Sequence, residues 1–182
     1  MKDAFDLGCR YPYSYVKELT EAIAKKEGVT PAHVMITGGF TEGLKIAGLA
    51  FGRDGENPTF KALLDDAEKF GAYINKVPWN EKLGHYLAEI AQRIANNTSL
   101  VYLCNPNNPT GTIISANKLE DFCESVPKRT ITFCDEAYID FIEDANYPSM
   151  LSQVKRGNNV IVAKTFSKIY GFWQACAFNG NA

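Results

Sequence analysis

The chain has 182 residues, a formal net charge of −2, 46% hydrophobic residues and 22% charged residues. This composition is typical of a globular domain, and it lacks the basic excess that nucleic-acid-binding proteins carry. No segment has the apolar length of a signal core or a membrane span, so we expect a cytoplasmic protein with no nucleic-acid or membrane partner. The cysteines are odd in number and form no C-x-x-C pair, which predicts free thiols rather than a zinc site or disulfides. They are Cys9, Cys104, Cys123, Cys134 and Cys176.

The apolar pattern alternates between helical and extended periods along the chain. Predicted helices cover residues 14–26, 40–50, 60–70, 85–96 and 115–125, the last with Ser115 as its N-cap. Predicted strands cover residues 34–37, 72–77, 100–104, 131–135 and 160–165. Helices between strands predict an α/β fold with three layers and a mostly parallel central sheet. Ligands of such sheets bind beyond the carboxyl ends of the strands, where every motif described below falls.

The first motif, Thr37-Gly38-Gly39-Phe40-Thr41-Glu42-Gly43, joins a strand to a helix. The free N–H groups and positive dipole end of a helix N-terminus favour a phosphate. The motif matches neither G-x-G-x-x-G nor the Walker pattern, so a simple tight turn is the alternative.

The second motif is the loop Asn105-Pro106-Asn107-Asn108-Pro109-Thr110-Gly111. Two prolines and a glycine fix a rigid loop after a strand, and three asparagines supply amide donors. A simple turn rarely needs three asparagines, so this loop predicts a binding function.

The third motif, Asp135-Glu136-Ala137-Tyr138, ends a further apolar strand. A carboxylate in this position is costly unless it has a cationic partner. If Asp135 faces a ring nitrogen it keeps that nitrogen protonated, and Tyr138 can then reach a phenolic oxygen on the same ring. The alternative is a solvated strand end.

The fourth motif, Thr165-Phe166-Ser167-Lys168, follows the last predicted strand. Its hydroxyls can hold a phosphate, and a lysine there can form a Schiff base with an aldehyde. A surface lysine is the alternative.

In this order the motifs resemble those of fold-type-I pyridoxal-phosphate enzymes, the class I/II aminotransferases, and most closely the histidinol-phosphate aminotransferase branch. The resemblance extends from Tyr11 to Gly171. It implies the cofactor pyridoxal 5′-phosphate and amino transfer between an amino acid, such as histidinol phosphate or an aromatic amino acid, and a 2-oxo acid.

The resemblance also implies a role for each matched residue. Lys168 forms the Schiff base and carries the proton, Asp135 pairs with the ring nitrogen, and Asn108 and Tyr138 bind the phenolic oxygen. Phe60 matches the aromatic residue that stacks on the ring. The phosphate is bound by backbone N–H groups at Gly39, Phe40 and Thr41 and by the hydroxyls of Thr165 and Ser167. Tyr11 matches a tyrosine that the family contributes to the phosphate site of the partner subunit, which implies a homodimer.

Two departures from the family pattern stand out. The family has an apolar strand between the segments that match Glu56 and Asn57, and here the join is direct. The family arginine that binds the cofactor phosphate falls at Cys176. We therefore expect the cofactor-binding large domain at residues 1–171, lacking one strand near 56–57, and a non-family tail at 172–182.

We infer that a reading-frame slip produces the tail, and a genuinely divergent tail is the alternative. The genetic code gives TGG CAR GCN TGY GCN for Trp173-Gln174-Ala175-Cys176-Ala177. The base before these codons is the last base of the Phe172 codon, Y. Regrouped from that base, the codons read YTG GCA RGC NTG YGC and permit Leu-Ala-Gly-Leu-Arg, the family's residues in order. We then expect no small C-terminal domain and little or no aminotransferase activity from these 182 residues.

Three other functions were weighed against amino transfer. A decarboxylase of an amino-acid phosphate uses the same scaffold. The residues that bind the substrate would distinguish it from an aminotransferase. A non-catalytic remnant would bind the cofactor, or only fold, without turnover. A nicotinamide-binding protein lacks its glycine fingerprint here and leaves Lys168 unexplained.

Overall fold

The computed structural model describes residues 13–51, 68–69 and 71–171, and the backbone of 175–179. The strands in this part form a single sheet. Its members are β1 (Val34–Thr37), β2 (Leu100–Cys104), β3 (Ile131–Asp135), β4 (Val160–Thr165) and β5 (Ala175–Asn179). The spatial order is β1-β5-β4-β3-β2, with β2, β3 and β4 mutually parallel and β5 antiparallel to both of its neighbours. Four strands therefore point the same way, which confirms the mostly parallel sheet.

Helices precede or follow most of these strands. They are α1 (Tyr13–Glu27), α2 (Phe40–Phe51), α3 (Leu87–Arg93), α4 (Ala116–Ser125) and α5 (Leu151–Lys155), with 3₁₀ turns at Pro31–His33 and Ile139–Phe141. The predictions at 14–26, 40–50 and 115–125 are confirmed within two residues. Ser115 is the N-cap residue of α4, but its side chain makes no capping hydrogen bond. The predicted helix at 60–70 lies outside the described residues, except for 68–69.

The helix predicted over 85–96 is shorter in the structure, where α3 spans only Leu87–Arg93. The residues at both ends of the predicted helix make other contacts instead. His85 is buried, and its Nε2 lies 2.8 Å from the carbonyl oxygen of Cys104, which holds the residue outside α3. At the other end Ile94 is extended, and the Thr98 hydroxyl accepts the N–H of Ala95.

The strand predicted over 72–77 is wrong: these residues have no strand assignment. Only Val77 is fully buried, while the Tyr73 side chain is 74% exposed. A strand needs a neighbour to accept its N–H and C=O groups. The sheet in the described part ends at β2, and no ladder joins 72–77 to it.

The predicted domain boundary at Gly171 does not coincide with an end of the sheet, because β5 follows it. The register places Ala175 opposite both Thr37 and Thr165, and Cys176 opposite Ile36 and Lys164. In the described part of the chain β1 is joined to the sheet only through β5. The tail therefore supplies a central strand, an element that the sequence analysis did not assign.

Alternate residues of β2, β3 and β4 enter two separate apolar clusters, one on each face of the sheet, as a pleated strand requires. Val101, Leu103 and Val162 pack on one face with side chains from α1, α3, α4 and α5. Tyr102 and Phe133 pack on the other face with side chains from α2. This arrangement confirms the three-layer α/β fold. Within the described ranges, no helix has both the length and the apolar character needed to cross a bilayer.

Candidate active site

Polar groups meet where β2, β3 and β4 reach their carboxyl ends. Parallel pairing places Cys104 level with Asp135, and Asp135 level with Ala163. Because side chains alternate along a strand, Asp135 and Thr165 project to the same face of the sheet as Tyr102, the face that α2 covers. Strand pairing thus brings together segments that lie far apart in the sequence.

Asp135 is the most enclosed acid of this group, with only 3% of its surface exposed. Its Oδ1 accepts the N–H of Ala137 at 3.0 Å, and its Oδ2 accepts the hydroxyl of Tyr102. Burial raises the pKa of Asp135 to about 6, and the opposing influences are these two donors, the Cys104 thiol and the charge of Lys168. The carboxylate is therefore held in one orientation, and a cationic partner would further favour its charged form.

The loop after β2 is held by its own asparagines. The Asn105 side chain accepts the N–H of Ile114 at 2.8 Å and donates to the Tyr147 hydroxyl at 2.7 Å, and that hydroxyl donates to the carbonyl of Ile114. Asn107 donates to the Thr110 hydroxyl at 2.7 Å. Both asparagines are buried, which leaves only the third, Asn108, half-exposed toward the candidate site.

Asn108, Tyr138 and Lys168 come together from three different segments. The Asn108 amide donates to the Tyr138 hydroxyl over 3.4 Å, a long hydrogen bond. The Lys168 ammonium nitrogen lies 5.4 Å from the centroid of the Tyr138 ring, within the range of a cation–π contact. Asn108 and Tyr138 also line a cavity of about 300 Å³. These contacts bring together three of the predicted site residues.

Thr165 and Ser167 form a hydroxyl pair just before Lys168. Their oxygens lie 2.8 Å apart, and the Thr165 hydroxyl also accepts the N–H of Ser167 at 3.0 Å. Thr165 is buried at the end of β4, while Lys168 is exposed. The turn thus carries an exposed lysine directly after the hydroxyl pair in the sequence.

The turn between β1 and α2 requires its second glycine. Gly39 has φ +113°, a conformation that side chains with a Cβ rarely adopt. The Thr37 hydroxyl donates to the carbonyl of Gly39 at 2.9 Å, and the Glu42 carboxylate accepts the N–H of Gly38. The N–H groups that open α2, at Phe40 and Thr41, follow directly.

The two predicted phosphate segments flank the same residue of β5. Thr37 and Thr165 both pair with Ala175, so the ends of β1 and β4 stand two strand spacings apart, about 10 Å. An anion between them would face the N-terminus of α2 on one side and the Thr165–Ser167 pair on the other.

Two predicted site residues, Tyr11 and Phe60, lie outside the described residues. The assigned roles of these two side chains stay predictions. Cys176, the position matched to the family arginine, lies in β5 between β1 and β4.

Sequence analysis missed three residues that organise this region. Tyr102 binds Asp135, Tyr147 binds the loop after β2, and Glu136 accepts the Ser149 hydroxyl and the Met150 N–H, each at 2.6 Å. Burial raises the pKa of Glu136 to about 7. A single tyrosine within an otherwise apolar buried strand was the available signal for Tyr102, because a buried hydroxyl needs a partner.

Comparison with known proteins places this site in a family. Residues 5–174 match the model of the aminotransferase class I and II family. The chain belongs to that family. A histidinol-phosphate aminotransferase from Moorella thermoacetica is 38% identical over 177 residues, which is 94% of this chain and 46% of the relative. The chain therefore spans about half the length of the curated relatives that it matches.

Solved structures agree with the fold. A protein from Erwinia carotovora atroseptica assigned as a histidinol-phosphate aminotransferase superposes with a TM-score of 0.90 at 30% identity, covering 98% of this chain and 55% of that one. The histidinol-phosphate aminotransferase of Sinorhizobium meliloti, in complex with pyridoxal-5′-phosphate, gives 0.87 at 24% identity and covers 98% and 50%. At 24% identity, the similarity to the Sinorhizobium meliloti structure shows only that the two proteins share a fold.

Pyridoxal phosphate is the cofactor of this family, and the described residues fit the groups that it carries. A buried carboxylate at Asp135 suits its ring nitrogen, and the Asn108–Tyr138 pair suits its phenolic oxygen. The exposed amine of Lys168 suits its aldehyde. The Thr165–Ser167 hydroxyls and the start of α2 suit its phosphate.

Proposed function

We propose that the protein is a pyridoxal-phosphate-dependent aminotransferase that moves an amino group between an amino acid and a 2-oxo acid. Histidinol phosphate or an aromatic amino acid is the proposed donor. The observation that carries the proposal is the meeting of Lys168 with Tyr138 and Asn108 beside Asp135, from three strand ends of one sheet. The family match and the histidinol-phosphate aminotransferase relatives support it.

When bound, the cofactor supplies an electron sink conjugated to the substrate's Cα. Lys168 is proposed to hold the cofactor aldehyde through Nζ and, once displaced by substrate, to move a proton between Cα and the cofactor's C4′. A lysine amine suits both tasks, because the neutral form is a nucleophile and a base. Its exposed position leaves Nζ accessible to a substrate.

Asp135 is proposed to hold a proton on the ring nitrogen. The buried carboxylate has two fixed donors, and a cationic partner would lower its pKa from about 6. Asn108 and Tyr138 are proposed to bind the phenolic oxygen and so set the angle of the ring.

The phosphate is proposed to lie between the start of α2 and the Thr165–Ser167 pair. Backbone N–H groups at Gly39, Phe40 and Thr41 would donate to it, and the positive end of the helix dipole would favour its charge. Both segments flank Ala175, which supports a shared anion site between them.

A homodimer with Tyr11 contributed to the partner's site, and a cytoplasmic location, complete the proposal. Cys104, Cys123 and Cys134 are free and buried, which is consistent with a reducing compartment. Amino transfer is preferred to decarboxylation, because the curated relatives that the chain matches are histidinol-phosphate aminotransferases.

A half-reaction assay tests the proposed activity. The 182-residue chain, and a version extended to the relatives' length with arginine at 176, are incubated with pyridoxal phosphate and then with histidinol phosphate or an aromatic amino acid. We expect the extended chain to change the cofactor absorbance and to release one equivalent of oxo product. Release of CO₂ would support the decarboxylase instead, and an unchanged spectrum in both chains would support a non-catalytic remnant.

The matched control for this assay is a second lysine variant. Lys168→Ala should abolish the half-reaction, because no other amine would hold the aldehyde. Lys118→Ala, on the exposed side of α4, should leave it unchanged. An active Lys168→Ala variant would contradict the proposed role.

A further inference from the structure

Tyr102 has an environment that packing alone does not explain. Its side chain is fully buried in the middle of β2, and its ring stacks on Phe133 with centroids 5.7 Å apart. Every residue of β2 is buried, so an apolar side chain would suit this position in the core equally well. The hydroxyl instead crosses to β3 and donates to Oδ2 of Asp135.

The register shows how this contact forms. Tyr102 pairs with Phe133, and Asp135 lies two residues farther along β3 on the same face. The hydroxyl therefore reaches along the sheet toward its carboxyl edge, where the candidate site lies. With Tyr102 on Oδ2 and the Ala137 N–H on Oδ1, both carboxylate oxygens are fixed, and rotation of the carboxylate would break two hydrogen bonds.

The contact also affects the charge of Asp135. Burial favours the neutral acid and raises its pKa to about 6, whereas donors to the carboxylate favour the charged form. The other groups that face Asp135 are the Cys104 thiol and Lys168. Burial raises the pKa of Cys104 to about 12, so this thiol stays neutral, and Lys168 acts only through its charge.

We propose that Tyr102 is a positioning residue, whose hydroxyl fixes the orientation of the Asp135 carboxylate and keeps it ionised for a cationic ring nitrogen. The orientation and ionisation of Asp135 are properties of the protein alone. Only the link to the ring nitrogen rests on the proposed function. The alternative is that the bond merely satisfies a buried hydroxyl, with no consequence for Asp135.

A titration of Asp135 without cofactor separates these alternatives. The carboxyl ¹³C shift of Asp135 is followed against pH in the 182-residue chain and in Tyr102→Phe, which removes only the hydroxyl. Loss of a hydrogen bond to a charged group should raise the pKa of Asp135 by about 1 to 2 pH units. An unchanged pKa would overturn the proposal.

Thr132→Val is the matched control, because it also removes one buried hydroxyl. Thr132 lies in β3 and is 1% exposed, and its Oγ1 has no hydrogen-bond partner among the residues that the structure describes. This variant should leave the pKa of Asp135 unchanged. An equal rise in both variants would show that any loss of a core hydroxyl moves this pKa, and would overturn the proposal.

Two further measurements complete the test. If Tyr102→Phe does not fold, the hydroxyl proton of Tyr102 is followed by NMR in the unmodified chain. We expect a downfield resonance that disappears as Asp135 is protonated. Persistence of this resonance after Asp135 is protonated would count against the proposal. In the extended chain, Tyr102→Phe should weaken binding of pyridoxal phosphate about tenfold or more at pH 7. If neither extended chain binds the cofactor, the proposed function fails, while the titration still decides the role of Tyr102.

Discussion

The segment 72–77 and strand β2 were both predicted to be strands, and each contains at least one β-branched residue and one tyrosine, yet they take different structures. The segment 72–77 also contains Asn75 and Lys76, whereas β2 has no charged or amide side chain. In β2 every residue is buried, and Tyr102 finds a partner on β3. In 72–77 the tyrosine is exposed, and no ladder forms within the described residues. The comparison shows that an apolar run becomes a strand when a neighbouring strand is available to pair with it, a condition that a local pattern does not contain.

The largest expected difference between these regions is in hydrogen exchange. Amides of Phe133 and Leu103 should exchange only by global unfolding, because both lie in paired strands of the core. Amides of 72–77 should exchange nearly as fast as an unfolded chain, a difference of roughly 5 kcal/mol or more. Equal protection in both regions would mean that 72–77 is paired after all.

An insertion sharpens this prediction. The family pattern has an apolar strand where Glu56 and Asn57 are joined directly. A chain with such a strand restored should gain protection at 72–77, because those residues would then have a neighbour. Protection confined to β2 and β3 would argue against the missing-strand explanation.

The second prediction concerns the chemistry at the end of β3. Asp135→Asn in the extended chain should lower the amino-transfer rate on the order of a hundred- to a thousandfold, because an amide cannot neutralise a ring cation. Asp140→Asn, an exposed acid shortly after it, should have a near-normal rate. A near-normal rate for Asp135→Asn would refute the assigned role.

The sequence predicted four of the five strands of the sheet in the described residues. Val34–Thr37, Leu100–Cys104 and Ile131–Asp135 are recovered with their predicted bounds, because each is a short apolar run between clear turn signals. Strand 72–77 and the full length of α3 were wrong, since each depends on a tertiary contact: a missing neighbour for the first, and the bond from His85 to Cys104 for the second.

The candidate site, like the fold, was predicted from the sequence only in part. Motif order located Asp135, Tyr138 and Lys168 at strand ends, and the structure brings them to one edge of the sheet. The supporting contacts were not predictable from motifs, because the bonds of Tyr102 and Tyr147 join residues 33 positions apart. Tail residues 175–179 were assigned no element, yet they pair with two strands.

The third prediction is a pH dependence of stability in the cofactor-free chain. Burial raises the pKa of Asp135 from 3.8 to about 6, and that of Glu136 from 4.5 to about 7. Between about pH 4 and 7 these two carboxyls thus bind more protons in the folded chain than in the unfolded chain, so they make the free energy of unfolding fall as pH rises. Burial lowers the pKa of His85, and this group acts in the opposite direction. Each carboxyl contributes at most about 3 kcal/mol, present at low pH and lost above its folded pKa.

Urea denaturation at several pH values measures this slope. Glu136→Gln should flatten it, whereas Asp121→Asn, an exposed acid on α4, should not. A slope that Glu136→Gln leaves unchanged would contradict the assigned ionisation.

The smallest expected effect concerns the loop after β2. Tyr147→Phe leaves the Asn105 amide and the Ile114 carbonyl without their shared partner, and it should lower the free energy of unfolding by about 1–3 kcal/mol. Tyr86→Phe removes a half-exposed hydroxyl and should cost less than about 0.5 kcal/mol. Equal losses in the two variants would show that the loop does not depend on Tyr147.

The central claim is that Lys168 is the residue that holds the cofactor, and covalent mapping tests it most directly. The chain is incubated with pyridoxal phosphate, reduced with borohydride, digested and analysed for modified peptides. The account predicts that the label is concentrated on Lys168, the amine beside Tyr138 and the Thr165–Ser167 pair. A label spread evenly over Lys118, Lys155 and Lys164 would contradict it.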